Sequence, residues 1–94
     1  MTYEILFIVK PDLEEKAIKK IAKDLEKVLV DKNAKILSSK EMGQKELAYE
    51  IKNQKSGYYF LINVEASNEA IKEFDRLALI NEDVLRHLVI KLDK

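Results

Sequence analysis

Twice along this chain an apolar pattern of period two gives way to one of period 3.6, and each helical stretch is followed by another strand-like run. Residues 3–10 (Tyr-Glu-Ile-Leu-Phe-Ile-Val-Lys) are rich in strand formers and stop at Pro11-Asp12. A helical stripe follows through Leu13, Ile18, Ile21, Leu25, Val28 and Leu29, to about residue 31. Asp12 stands where a cap accepts from the backbone, and Glu15 three positions on completes a capping-box-like pair. Lys16, Lys20, Lys23 and Lys27 alternate with acids on the other side, the pattern of a solvated face. After a turn at 31–33, a strand over 35–42 is expected to break at Gly43, and 53–57 reads as a loop. The strongest strand, 58–66, leads to Ser67 or Asn68 as the cap of a second helix with Ala70, Ile71, Phe74, Leu77 and Ala78 as its stripe. A turn at 81–83 and a strand over 84–92 complete the order β-α-β-β-α-β. Two strand-helix-strand halves imply an α+β, ferredoxin-like fold: a four-stranded antiparallel sheet with both helices on one face, formed as a single domain over 1–94.

One sheet face is then left without helices, and period two says what it carries. Tyr58, Phe60, Ile62 and Val64 form one side of the third strand and Tyr3, Ile5, Phe7 and Val9 one side of the first; these sets are expected to meet the helices. Leu6, Ile8, Tyr59 and Leu61 fall on the open side, where they form an apolar patch suited to a partner. Cover by a loop or the chain end is the alternative. The last strand is ambiguous, because Leu88, Ile90 and Leu92 compete with His87 and Val89 for the inner face. Base stacking by Tyr58 and Phe60, as in an RNA-recognition-motif sheet, is excluded: it would turn Asn63 and Glu65 into the core unpaired.

Catalysis lacks an inventory. His87 is the one histidine, cysteine is absent, and so neither a metal cluster nor a histidine-assisted nucleophile is expected; no cofactor or nucleotide motif is present. His87 is expected at the core or its rim, and Asp12 with Glu15 in capping. Lysine plus arginine (17) equals aspartate plus glutamate (17), so any contact with nucleic acid must come from a local patch. Arg76 and Arg86 alone offer a planar fork, which favours phosphate and shape over base reading. Apolar runs of about five residues are far below the roughly 18 of a membrane span, and no signal peptide is expected, so the chain reads as cytosolic.

Residues 43–52, Gly-Gln-Lys-Glu-Leu-Ala-Tyr-Glu-Ile-Lys, carry the most specific pattern: a turning glycine, alternating apolar Leu47, Tyr49 and Ile51, and two lysines. With Tyr3-Glu4 and Asp83-Val84-Leu85-Arg86, the segment resembles the family of the sixth protein of the bacterial small ribosomal subunit. The resemblance implies a structural, non-catalytic ribosomal protein that binds the central domain of small-subunit (16S) ribosomal RNA together with the eighteenth small-subunit protein. The RNA-binding residues expected on that basis are Lys45, Tyr49, Lys52, Lys55, Arg86 and Lys91, with Leu6, Ile8, Tyr59 and Leu61 for the protein partner. The free protein is expected to be a monomer that sediments with small subunits. The rival is a ferredoxin-like metabolite-binding or homo-oligomeric regulatory domain whose open sheets pair through the same four residues.

Overall fold

The computed structural model describes residues 1–92, with β1 at Thr2–Val9, α1 at Glu15–Asp31, β2 at Lys35–Ile51, β3 at Gln54–Glu65, α2 at Asn68–Ile80 and β4 at Val84–Lys91. All strand pairs are antiparallel in the spatial order β2-β3-β1-β4, the expected ferredoxin-like arrangement. The two central strands fix the core. Tyr3, Ile5, Phe7 and Val9 of β1 pair with Val64, Ile62, Phe60 and Tyr58 of β3, and all but the half-exposed Tyr58 are buried. Against them pack Ile18, Ala22, Leu25 and Leu29 of α1 and Ala70, Phe74 and Ala78 of α2. Phe7 stacks on Phe60 with centroids 5.1 Å apart and meets Phe74 at 6.2 Å.

The helix ends divide the capping expectations. Ser67 caps α2, its hydroxyl accepting from the Ala70 N–H at 3.3 Å. Ser67→Ala is expected to cost about 1 kcal/mol, measurable by denaturant unfolding. At α1 the cap position is Glu14, with no side-chain cap bond, and Asp12 instead accepts weakly from Gln54 Nε2 at 3.4 Å. Pro11 to Leu13 turn the chain before the helix begins, which carries Asp12 too far from the first helical N–H groups. Glu15 is a first-turn acid, and it pairs with Lys19 at 3.2 Å. That hydrogen-bonded carboxylate, with the field of Glu41, raises the Lys19 pKa above the usual lysine value.

β2 does not end at Gly43. Gly43 adopts φ +85° at a register shift between Glu41 and Tyr59's partner, so the glycine makes a bulge and the strand continues to Ile51. Most of the expected 53–57 loop is β3, and the connection shrinks to Lys52-Asn53. Both have positive φ (49° and 67°), as a two-residue hairpin turn matched to strand twist requires.

β4 contains its own bulge, and this resolves the ambiguous strand. Ile8 pairs with Arg86 but Val9 pairs with Val84, leaving Leu85 as the extra residue. An unbroken alternation from Val84 would drive Arg86 into the core. The bulge reverses the phase, so His87 and Val89 turn inward while Arg86, Leu88 and Ile90 share the open face with Ile8, Leu6 and Glu4. His87 meets Phe74 edge-on and hydrogen-bonds Asp75 Oδ1 at 2.6 Å, a packing role at the core's rim.

Candidate nucleic-acid interface

The long β2–β3 hairpin does more than extend the sheet. Between the pairs Glu46–Ser56 and Ile51–Gln54, the stretch Leu47 to Glu50 stands opposite Lys55 alone, so the ladder is interrupted in the middle of the segment that carried the sequence signal. The arm beyond this point reaches β4, on the far edge of the sheet. Arg86 Nη1 donates to the Tyr49 hydroxyl at 2.6 Å, and Lys52 Nζ donates to the Val84 carbonyl at 3.3 Å. Gln44 Nε2, donating to Ser56 Oγ at 3.0 Å, ties the two strands just before the bulge.

Cations from three elements therefore gather at one end of the open face. Lys45 pairs with Gly57 and places Nζ 5.9 Å from the Tyr59 ring centroid. Lys52 occupies the turn, Lys55 faces the bulge and borders a groove with Tyr49 and Ser56, and Arg86 stands exposed on β4. Lys91 does not join them: it pairs with Tyr3 at the other end of β4, on the side of the sheet that faces the helices. Alternation groups Tyr49 with Leu47 and Ile51, yet it is 60% exposed while those two are half-buried. The interrupted register is the reason, since period two holds only where strands pair continuously.

The apolar patch also differs from its sequence outline. Leu6, Tyr59 and Leu61 lie half-exposed on the open face, but Ile8 is only 5% exposed and offers almost no surface there. Leu88 (45%) and Ile90 (44%), left undecided by the sequence, extend the patch along β4. A small cavity of about 190 Å³ opens between Leu6, Ile8, Tyr59, Arg86 and Leu88, joining the apolar strip to the basic end. Among the described residues no group of three or more acids or histidines could hold a metal ion.

With this geometry, comparison with known proteins is decisive. The family described as ribosomal protein S6 matches residues 2–91. The chain belongs to the ribosomal protein S6 family. The crystal structure of 30S ribosomal protein S6 from Thermotoga maritima superposes with a TM-score of 0.90, at 23% identity over 95% of this chain and 84% of that one. That likeness concerns the fold; the family match carries the function. An S6 protein is a non-enzymatic, structural component of the small subunit of the cytoplasmic ribosome. The bulged arm and its basic cluster thus belong to a ribosomal protein.

Proposed function

We propose that this S6 protein binds small-subunit (16S) ribosomal RNA through Lys45, Tyr49, Lys52, Lys55 and Arg86, and does so jointly with the eighteenth small-subunit protein, which docks on Leu6, Tyr59, Leu61, Leu88 and Ile90. One observation supports this above the others: the hairpin arm joins cations of β2, β3 and their turn to Arg86 of β4, concentrating charge that the neutral composition spreads elsewhere. Glu46 and Glu50 lie in the same arm, so the local field is modest. Four phosphate contacts would give log affinity a slope against log salt of roughly −2.8 to −3.6, anchoring that benefits from a protein partner. The partner's share comes from apolar burial on the adjoining strip, where leucine and isoleucine side chains are left half in water.

The test is a gel-shift titration of a central-domain rRNA fragment, with and without the partner protein. The triple variant Lys45→Glu, Lys52→Glu, Arg86→Glu is expected to lose RNA affinity by about a hundredfold or more and to flatten the salt slope toward zero, while unfolding normally. Lys91→Glu, at the far end of β4, is expected to change affinity by less than about threefold, a single distant charge being screened at physiological salt. Equal effects of the two variants would refute the assignment. A concentration-dependent homodimer indifferent to RNA would favour pairing of two open sheets instead.

A further inference from the structure

The outer side of α1 carries a cluster that neither the hairpin arm nor the open face uses. Lys16, Lys20, Lys23 and Lys27 each stand two positions before a buried residue of the helix. Two positions turn an α-helix by about 200°, so the four lysines form one row on the side directly away from the sheet. Their spacing of four, three and four residues spreads four charges over about 16 Å. All four are exposed. Among the described residues none of their ammonium groups has an ion-pair or hydrogen-bond partner, although Asp24, Glu26 and Asp31 stand at helix-neighbour spacing from the row. The row also works against its own helix. Lys16 with Lys20, and Lys23 with Lys27, set like charges four positions apart, which destabilises a helix. Lys16 lies in the first turn, and the last turn, where cations favour the macrodipole, holds none. The alternation of sign that suits a solvated face therefore holds around the helix but not along this row.

We propose that this row is a second, sequence-independent RNA site, which holds the phosphate backbone of a double-helical segment of small-subunit rRNA that the hairpin arm does not reach. The polyanion at hand for a component of the small subunit is its rRNA, and the free charge on this side is of one sign, exposed and in line. Along that length one strand of a duplex presents about four or five phosphates, enough to meet every lysine of the row. Ammonium groups on four-carbon stems reach past the shorter side chains of Asp24 and Asp31 and absorb the mismatch between helix rise and phosphate spacing. α1 contains neither arginine nor an aromatic residue. Base edges therefore find no planar fork and unstacked bases no ring, which favours the regular backbone of a duplex over a single strand. The sheet lies between this row and the open face, so one straight RNA helix does not touch both. An S6 protein used on both sides joins two rRNA segments across its own thickness.

The test titrates the full chain with a labelled RNA duplex of about 20 base pairs and arbitrary sequence, at low salt where surface charge is least screened. Wild type is expected to bind it with a log-log salt slope of about −3.6, and to bind a single strand of the same length several-fold more weakly. Replacing Lys16, Lys20, Lys23 and Lys27 together by glutamine, which keeps the helix propensity, should weaken duplex binding by at least about tenfold and remove most of that slope. The four-arginine variant should retain both. Lys32→Gln with Lys72→Gln, on the same helical layer but off the row, should change affinity by less than about twofold. In purified small subunits, crosslinks from the four lysines are expected to fall in paired rRNA. A glutamine variant that binds like wild type, equal affinity for the single strand, no binding of the duplex by wild type, or crosslinks that reach only protein would each overturn the proposal. The arm's assignment is untouched by these results, because it is scored on the central-domain fragment and its own variants.

Discussion

Phe7→Ala is expected to destabilise the protein by about 3–5 kcal/mol. Phe7 is fully buried on a central strand, stacked on Phe60 and tilted against Phe74, so among the described residues its ring alone meets aromatic rings of both β3 and α2. A truncated side chain leaves a cavity bounded on both sides by rigid rings that collapse poorly. Against a total stability of about 5–14 kcal/mol for a chain of this length, such a loss leaves a protein near its threshold at 37 °C. Denaturant and thermal unfolding measure it, with Tm expected to fall by more than about 12 °C. Leu6→Ala is the control on the neighbouring residue. Leu6 points to the open face and is half-exposed, so its truncation is expected to cost only about 1 kcal/mol or less. Equal losses at the two positions would contradict the division of β1 into a helix-facing and an open side.

That division was legible in the sequence for a physical reason. β1 and β3 are central, each flanked on both sides, and an apolar face alternating with a mixed one admits a single register; a slip by one residue would bury Glu4 and Asn63. The helical stripes were legible because burial at period 3.6 leaves few other arrangements. What escaped was every place where the ladder gains a residue. Gly43 reads as a stop because glycine suits both a chain break and a bulge, and only pairing with β3 distinguishes them. Leu85 gives no local sign that it is the extra residue of β4; the clue is Arg86, which strict alternation from Val84 would bury. The Tyr49–Arg86 contact joins residues 37 apart and depends on the interrupted register before Ile51, so no spacing rule reaches it.

The bulges and the candidate site coincide, and this links the irregularities to function. A regular β2–β3 hairpin would project straight past the sheet, leaving Lys52 and Lys55 remote from Arg86. The interruption at 47–50 turns the arm toward β4, and the Leu85 bulge keeps Arg86 on the face that the arm reaches. Local charge density in an electrically neutral chain is therefore a product of register, and Lys91, where β4 is regular, stays outside it.

Gly57→Ala is expected to cost about 1–3 kcal/mol although Gly57 sits in an ordinary strand conformation that alanine adopts freely. The constraint is space. An added Cβ would stand 2.2 Å from Ile8 Cγ2, with Leu85 Cδ1 at 3.5 Å and the Val9 carbonyl oxygen at 3.6 Å closing the other sides. Ile8 cannot yield by rotating a distal group, because Cγ2 is attached directly to its branched Cβ, so either β3 shifts or Ile8 leaves its rotamer. Ile8→Ala alone is expected to lose about 2–3 kcal/mol for a buried isoleucine, since it opens a void. In the double variant the new methyl occupies part of that void, and the combined loss should fall at least about 1 kcal/mol short of the sum. Strict additivity would show that Gly57 and Ile8 do not share the space. The same cycle reports on the arm, because Gly57 lies opposite Lys45, one pair beyond the Glu46–Ser56 step where the ladder is interrupted. If the close approach of β3 to Ile8 seats the arm, Gly57→Ala should also speed hydrogen exchange at Tyr49 and Ile51, and Ile8→Ala in the same molecule should slow it again.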